Sequence, residues 1–418
     1  MNLDAWLEHQ LQLHPKSIEL GLDRVRPVAE QLGVLRPATR VVTVAGTNGK
    51  GSTVALLEAA ALAVGWKVGA YTSPHIERYN ERVRLHGLDA TDAQLIAAFE
   101  AIEAARGDIA LTYFEFGTLA ALWLFTRAKL DLAILEVGLG GRLDAVNLVD
   151  ADIAIVTTID LDHMEWLGPT REHIGREKAG IFRAGRAAIL GELDPPASVI
   201  ETANTVGARL YRRGHEFDIE VGRDALRYRD SAGELALPRP QLQAPAQLDN
   251  AATAACALRL LSVPAAAIAT GIASAAARAR LQTVATAPEI VLDVGHNPQA
   301  ARQLAEFLAT HPKLTVAVFA ALADKDVESV AQLLAPHISR WWLAGLDAGA
   351  RSQSAQRLAA RMQAAVPQAE LEIRADVATA LHSALGAVSA DQRVLVFGSF
   401  HTIAEALAAL RADGILRA

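Results

Sequence analysis

Short apolar bursts rich in valine, isoleucine and leucine alternate along the chain with longer stretches in which apolar residues recur every three or four positions. That alternation predicts strands separated by helices, the pattern of a parallel sheet covered on both faces. Val41-Val42-Thr43-Val44-Ala45 reads as a strand that runs straight into a glycine-rich turn, and 53–64 as the helix after it. Gly65 is placed to end that helix in the left-handed conformation. Further strands are predicted at 132–137, 153–157 and 187–190. The stretch 208–242 is richer in charge, with short alternating segments around Asp230-Ser231-Ala232-Gly233, and predicts a small antiparallel sheet. An alanine-rich helix follows at about 249–262. A second α/β run starts near Ile290, with strands at 290–294, 315–319, 341–344 and 394–397. The fold class expected is α/β. A mostly parallel sheet with a small antiparallel one comes first, and a Rossmann-like α/β domain follows. The junction falls at about 280–288, before Pro288, which divides the chain into 1–283 and 284–418.

Length and composition fit that division. A chain of 418 residues with 51% hydrophobic and 21% charged residues is long enough for two cores and too apolar for extended disorder. Forty Lys and Arg against 47 Asp and Glu give a net charge of −7, which argues against an extended basic face for nucleic acid. The single cysteine, Cys256, excludes an intramolecular disulfide framework and a thiolate zinc cluster. Glu58 and Glu115 interrupt the longest apolar runs, so no membrane span is expected. The first residues carry an acid and no basic segment, unlike a secretory signal. A monomer in the cytoplasm is the expected setting.

The candidate chemistry begins at Gly46-Thr47-Asn48-Gly49-Lys50-Gly51-Ser52-Thr53, between a buried strand and a helix start. Glycines let backbone amides converge on phosphate oxygens, and the helix end adds partial positive charge. Lys50 can reach outer phosphates, while the Ser52 or Thr53 hydroxyl can face a magnesium ion. The spacing departs from the usual phosphate-loop pattern, because only Thr47 and Asn48 separate Gly46 from Gly49-Lys50. No Asn-Lys-x-Asp motif for guanine occurs, and Gly138-Leu139-Gly140-Gly141 lacks the third glycine of a dinucleotide fingerprint. The loop therefore reads as an ATP-type variant in a P-loop ATPase-type domain.

A phosphate loop of this kind works with a hard divalent cation. Glu136 ends a predicted strand before a glycine loop and is a candidate metal ligand; a simple ion pair with Arg142 is the competing reading. His163, after Thr157-Thr158-Ile159-Asp160-Leu161-Asp162, is either a ligand or an ordinary loop histidine. Lys178 reads, from its spacing alone, as a solvated helix lysine.

Taken together, blocks running in order from 14 to 402 resemble the folate branch of the Mur ligase superfamily, the folylpolyglutamate synthase family. They are the loop itself, His14-Pro15-Lys16-Ser17-Ile18-Glu19-Leu20-Gly21-Leu22, Thr72-Ser73-Pro74-His75, Glu81-Arg82-Val83-Arg84 and Thr112-Tyr113-Phe114-Glu115-Phe116. Also part of the set are 135–145, 161–163, 175–180, Asp293-Val294-Gly295-His296-Asn297-Pro298 and Gly398-Ser399-Phe400-His401-Thr402. The resemblance implies a Mur ligase-like fold and an ATP- and Mg2+-dependent ligase. Such an enzyme adds L-glutamate to dihydropteroate and to tetrahydrofolates through an acyl phosphate, with closing loops supplied by the C-terminal domain. The alternatives are a folylpolyglutamate synthase without dihydropteroate activity, a peptidoglycan ligase, or a non-catalytic nucleotide-binding module.

The resemblance also implies residue roles. Asn48, Gly49, Lys50, Gly51 and Ser52 match the triphosphate loop, and Ser73, Glu136 and His163 match the magnesium ligands. Lys178 matches a lysine carbamylated in this superfamily. Asn250, Arg280 and Asp293 match ATP contacts, and His296 and Ser399 match loop residues of the C-terminal domain. Thr112, Tyr113, Phe114 and Glu115 with Leu143, Asp144 and Ala145 match the pterin-binding segments. Two departures stand out. Gly295 replaces a usual alanine, and Ala277-Arg278-Ala279-Arg280 replaces a usual Pro-Gly-Arg, so Arg278 competes with Arg280 for the ATP role. The spacing to Asp293 favours Arg280. Phe114 and Phe116 can be read as plain core, and Arg82 and Arg84 as a solvated face.

Overall fold

A computed structural model describes residues 1–16, 18–223, 225–241 and 244–416. Ser17 of the 14–22 block, and Asp224 and Leu242 of the 208–242 stretch, lie outside the described residues. The chain forms two compact units, Met1–Gln241 with Gln247–Ala276, and Leu242–Ala246 with Ala277–Ala418.

In the first unit, the described residues form an eight-stranded sheet. Its strands are β1 Ala38–Ala45, β2 Val68–Tyr71, β3 Val83–Leu85, β4 Leu88–Asp89, β5 Leu130–Glu136, β6 Ile153–Val156, β7 Ala187–Leu190 and β8 Arg209–Arg212, in the order β4-β3-β2-β5-β1-β6-β7-β8. From β2 to β8 the neighbours in that order run parallel, and β3 and β4 add an antiparallel edge. The apolar bursts follow from burial on two faces. Val42, Val44, Leu132 and Ile134 pack with the helices Lys50–Ala63, Gln247–Leu260 and Ala265–Ser274. The alternate residues Val41, Ala133 and Leu135 join Trp6, Phe99 and Phe116 in a second core.

The helix expected at 53–64 starts earlier, at Lys50, because Gly49 takes the left-handed conformation (φ +84°) and lets the chain turn directly into the helix. It ends as expected, with Gly65 at φ +85° and Trp66 N–H donating back to the Ala61 carbonyl. The small antiparallel sheet is narrower than 208–242. Residues Arg209–Arg212 form the last parallel strand of the large sheet, and β9 Phe217–Val221, β10 Leu226–Asp230 and β11 Gly233–Leu237 form the small one. Alternation alone does not distinguish a half-exposed parallel edge strand from a hairpin strand.

The second unit holds a six-stranded sheet among its described residues: β12 Gln282–Thr286, β13 Glu289–Asp293, β14 Thr315–Phe319, β15 Arg340–Leu343, β16 Leu371–Ile373 and β17 Arg393–Phe397. Their order is β12-β13-β17-β14-β15-β16, parallel apart from β12. This is the mixed α/β architecture read from the sequence. No helix among the described residues is long and apolar enough to cross a membrane.

Strand register fixes where loops emerge. Glu136 pairs with Val44, Val156 with Ala45 and with Leu190, and Tyr71 with Leu135. The segments that follow β1, β2, β5, β6 and β7 therefore leave one carboxyl edge of the first sheet together, the place where α/β sheets bind ligands.

Candidate active site

The phosphate loop is held from beneath by the end of β6. Thr47 N–H donates to the Thr158 carbonyl at 2.7 Å, Asn48 N–H to Thr158 Oγ1 at 3.1 Å, and Thr157 Oγ1 to the Asn48 carbonyl at 2.6 Å. A Cβ on Gly49 would lie 2.6 Å from Asn250 Oδ1, so this turn admits only glycine against Asn250. Asn250 Nδ2 donates to Gln247 Oε1 at 3.0 Å, and Gln247 Nε2 donates to Ser52 Oγ at 3.2 Å. That chain leaves the proton of the buried Ser52 hydroxyl, or its second lone pair, for a ligand at the loop. Lys50 Nζ donates to the loop's own carbonyls of Gly46 and Thr47, at 3.0 and 3.3 Å. Gln247, the first residue of an alanine-rich helix, carries no motif by which the sequence alone marks it.

Of the magnesium candidates, Ser73 and Glu136 are neighbours: Ser73 N–H donates to Glu136 Oε2 at 3.2 Å. Glu136 is buried, and its alternative reading as a partner of Arg142 does not hold. Arg142 turns outward to Glu177, donating from Nε and Nη2 to Oε1 at 3.1 and 2.8 Å. His163 is half-exposed, with φ +51°, and begins the short helix Met164–Leu167. Among the described residues no three His, Cys, Asp or Glu side chains form a ready-made cage. The donor set of hydroxyl, carboxylate and imidazole fits Mg2+, which binds through a few protein ligands plus phosphate oxygens and water.

Lys178 is not solvated. It lies on the last turn of the helix Arg171–Ala179 and is 4% exposed. The loop 138–141 closes on it. A Cβ on Gly141 would fall 2.9 Å from the Lys178 carbonyl, and Arg142 N–H donates to the Glu177 carbonyl at 2.8 Å. Burial, then the charge of Lys50, push the Lys178 ammonium down to a pKa of about 7, against the pull of Asp162 and Asp144.

Asp144 is buried beside the same loop. It accepts from Leu139 N–H and Val146 N–H, both at 2.9 Å, and burial raises its carboxyl to about 6 against those bonds. Leu143 accepts from Gly21 N–H at 3.2 Å, which ties the 14–22 block to this segment, and Ala145 is buried. Thr112 caps the helix Tyr113–Ala128 through a reciprocal pair: Glu115 N–H to Thr112 Oγ1 at 3.3 Å, and Thr112 N–H to Glu115 Oε2 at 2.8 Å. Glu115 also accepts from Arg24, at 3.3 and 2.5 Å, so its oxygens are engaged by the protein itself. Phe116 is core, whereas Phe114 is half-buried against Gly138 and Tyr71.

The reading of Arg82 and Arg84 as a solvated face is overturned. Arg84 is bound to the buried Glu58, with Nη2 2.7 Å from Oε2. Arg82, 9% exposed, stands between the rings of Tyr79 and Tyr113 at 5.3 and 5.4 Å, and its Nε donates to His75 Nδ1 at 2.8 Å. No carboxylate among the described residues pairs with it.

In the second unit, Asp293 ends β13 and accepts from Leu281 N–H at 2.8 Å and Gly295 N–H at 2.6 Å. Burial raises its pKa, and the nearby charge of Arg280 is the main counterweight. Arg278 is exposed, so Arg280 is the arginine beside Asp293. Arg280 also stands 5.4 Å from the Phe400 ring. His296 Nδ1 donates to the Val294 carbonyl at 2.9 Å. Ser399 caps the helix Phe400–Ala412, accepting from Thr402 N–H at 3.0 Å.

The chain is similar to known proteins along most of its length. The Mur ligase middle domain matches residues 44–237, and the Mur ligase glutamate ligase domain matches 279–400. A dihydrofolate synthase/folylpolyglutamate synthase of Escherichia coli (strain K12) is 47% identical over 410 residues, 97% of this chain and 94% of that relative. The structure of E. coli FolC in complex with DHPP and ADP superposes with a TM-score of 0.94 at 46% identity, covering 99% of each chain. A bifunctional folylpolyglutamate synthase/dihydrofolate synthase with Mn, AMPPNP and L-glutamate bound superposes with a TM-score of 0.90 at 44% identity, covering 98% of each.

Proposed function

The chain belongs to the dihydrofolate synthase/folylpolyglutamate synthase family of Mur ligases, and from that premise we propose the roles of its residues in an ATP-dependent, amide-forming reaction. The enzyme joins L-glutamate to 7,8-dihydropteroate, giving dihydrofolate, and adds further glutamates to tetrahydrofolates. The observation that carries the assignment of roles is the gathering of the phosphate loop, the Ser73–Glu136 pair and the buried Lys178 at one edge of the first sheet.

A carboxylate is a poor acyl donor until its oxygen is phosphorylated. The acceptor carboxylate attacks the γ-phosphorus of ATP in line, ADP leaves, and an acyl phosphate forms. The α-amine of glutamate then attacks the acyl carbon, loses a proton, and phosphate departs from the tetrahedral intermediate. The amides of Asn48, Gly49, Gly51 and Ser52 with Lys50 stabilise charge on the transferring phosphoryl group. Ser73, Glu136 and His163 would hold Mg2+, which neutralises charge on the phosphate oxygens when bound.

Lys178 has a chemical purpose in this reading. An amine with a pKa of about 7 is largely neutral at slightly alkaline pH. A neutral amine adds to CO2 and releases a proton, leaving a carbamate anion that faces Lys50. The segments Thr112–Glu115 (112–115) and 143–145 form the pterin site, with Arg82 beside Tyr113 as its cation for an anionic or electron-rich part of the acceptor. Asn250 supports the loop at the nucleotide. We assign 1–283 to ATP and pterin binding and 284–418 to the C-terminal domain. Arg280 and Asp293, on either side of that boundary in sequence, are the proposed ATP contacts; His296 is the proposed catalytic residue of the C-terminal domain, and Ser399 a further loop residue there. The setting proposed is a cytoplasmic monomer without nucleic-acid or membrane partners, in keeping with the net charge of −7.

The test is ADP release by the purified protein with magnesium-ATP and L-glutamate, adding either dihydropteroate or tetrahydrofolate, with products identified by mass. Turnover with both acceptors is expected. Turnover with tetrahydrofolate alone would remove the dihydropteroate role.

A further inference from the structure

We propose that Glu192 is a positioning residue for the nucleotide site, acting with Arg171 as a clamp on the Ile159 peptide. The inference rests on the nucleotide-site reading above and concerns residues outside its motifs. Ile159 is gripped at both backbone groups: its N–H donates to Glu192 Oε2 at 3.3 Å, and its carbonyl accepts from Arg171 Nε at 2.8 Å. Arg171 closes the clamp by donating from Nη2 to Glu192 Oε2 at 3.3 Å and to the Asp194 carbonyl at 2.8 Å.

The next residue carries the grip into the phosphate loop. Asp160 N–H donates to Thr47 Oγ1 at 3.0 Å, and Thr47 Oγ1 donates to the Asp160 carbonyl at 3.1 Å. Three residues further along is His163. Arg171 itself is the first residue of the helix whose last turn carries Lys178. One side-chain pair thus anchors three elements of the site: the phosphate loop through Thr47, the loop bearing His163, and the helix bearing Lys178.

Stability alone does not account for Glu192. Its Oε1 is buried with no hydrogen-bond partner among the described residues, and burial lifts its carboxyl to about 7 despite Ile159 N–H and Arg171, with Asp160 and Asp194 adding to the rise. A half-satisfied buried carboxyl costs free energy that an apolar or amide side chain would avoid. Its placement is also built in. A Cβ on the preceding Gly191 would lie 2.7 Å from Thr253 Oγ1 and 2.9 Å from the Thr157 carbonyl, so the bare backbone brings Glu192 against the end of β6.

The experiment compares wild type, Glu192→Ala, Glu192→Gln and Arg171→Gln by steady-state kinetics at varied magnesium-ATP, with melting temperatures measured alongside. Loss of the clamp in Glu192→Ala should raise KM for magnesium-ATP on the order of tenfold, the equivalent of one buried hydrogen bond, with KM for L-glutamate unchanged. Glu192→Gln keeps an acceptor for Ile159 and should stay within about threefold of wild type. Arg171 is partly exposed, so Arg171→Gln keeps the test open if Glu192→Ala does not fold, and it should raise the same KM. A lowered melting temperature with KM for magnesium-ATP unchanged in Glu192→Ala and Arg171→Gln would overturn the clamp. An inactive wild type would instead overturn the ligase reading on which it rests.

Discussion

Lys50 and Lys178, far apart in sequence, are close enough in the fold that the charge of the phosphate-loop lysine, second only to burial, holds Lys178 near a pKa of about 7. A lysine so placed is either a neutral base or, after reaction with CO2, an anion facing a cation. Lys178→Ala should therefore lower turnover roughly a hundredfold or more. A short carboxylic acid such as formate should restore part of it by standing in for the carbamate. Initial rates with and without formate check this, and absence of rescue would remove the carbamate role.

The same lysine gives a signed pH dependence of stability. Its folded-state pKa lies below the ordinary 10.5, so between about 7 and 10.5 the unfolded chain holds a proton that the folded chain has released. Folding stability gains with rising pH over that window, and below pH 7 the penalty for the buried ammonium is present in full. Lys178→Met, which carries no charge, should be more stable than wild type at pH 6. Its advantage should shrink as pH rises from about 7 towards 10.5, measured by urea unfolding in CO2-free buffer. A pH-independent difference would contradict the buried, neutral-leaning lysine.

Lys50→Ala removes the loop's one side-chain cation and should lower ADP release about a thousandfold or more with either acceptor. Near-normal turnover would mean that the loop does not bind the transferring phosphate.

Arg82 is buried between two tyrosine rings with no carboxylate partner among the described residues, an arrangement expensive for folding and useful for binding. Arg82→Met should raise KM for dihydropteroate by about tenfold or more, leave KM for magnesium-ATP unaltered, and keep or raise the melting temperature. Unchanged KM values with a fallen melting temperature would make Arg82 a structural residue.

These sites differ in how well the sequence displays them. The phosphate loop is legible because its chemistry is local: a β-branched strand, three glycines and a lysine within a few residues. The strands are legible because burial on both faces leaves them almost wholly apolar. Lys178 is not, because Arg171, Glu172, Arg176 and Glu177 around it read as a polar helix face. The 138–141 loop, which arrives from the end of β5, packs against its backbone, and no local pattern announces that. Arg82 is hidden for the same reason, its cover coming from Tyr113, on a separate helix. Arg142 shows the converse: six residues from Glu136, it pairs instead with Glu177, which only the register of the sheet brings near. Arg209–Arg212 joins the large sheet because its partner β7 offers a free edge, and no feature of its own sequence says so.

The proposed reaction turns on phosphorylation of the acceptor's carboxylate, and isotope transfer tests that step directly. Dihydropteroate with both carboxylate oxygens labelled with oxygen-18 is incubated with the protein, magnesium-ATP and L-glutamate, and the released phosphate is analysed by mass. An acyl phosphate places one labelled oxygen in each phosphate and leaves the other in the new amide. Phosphate free of label, formed alongside the glutamylated product, would contradict it.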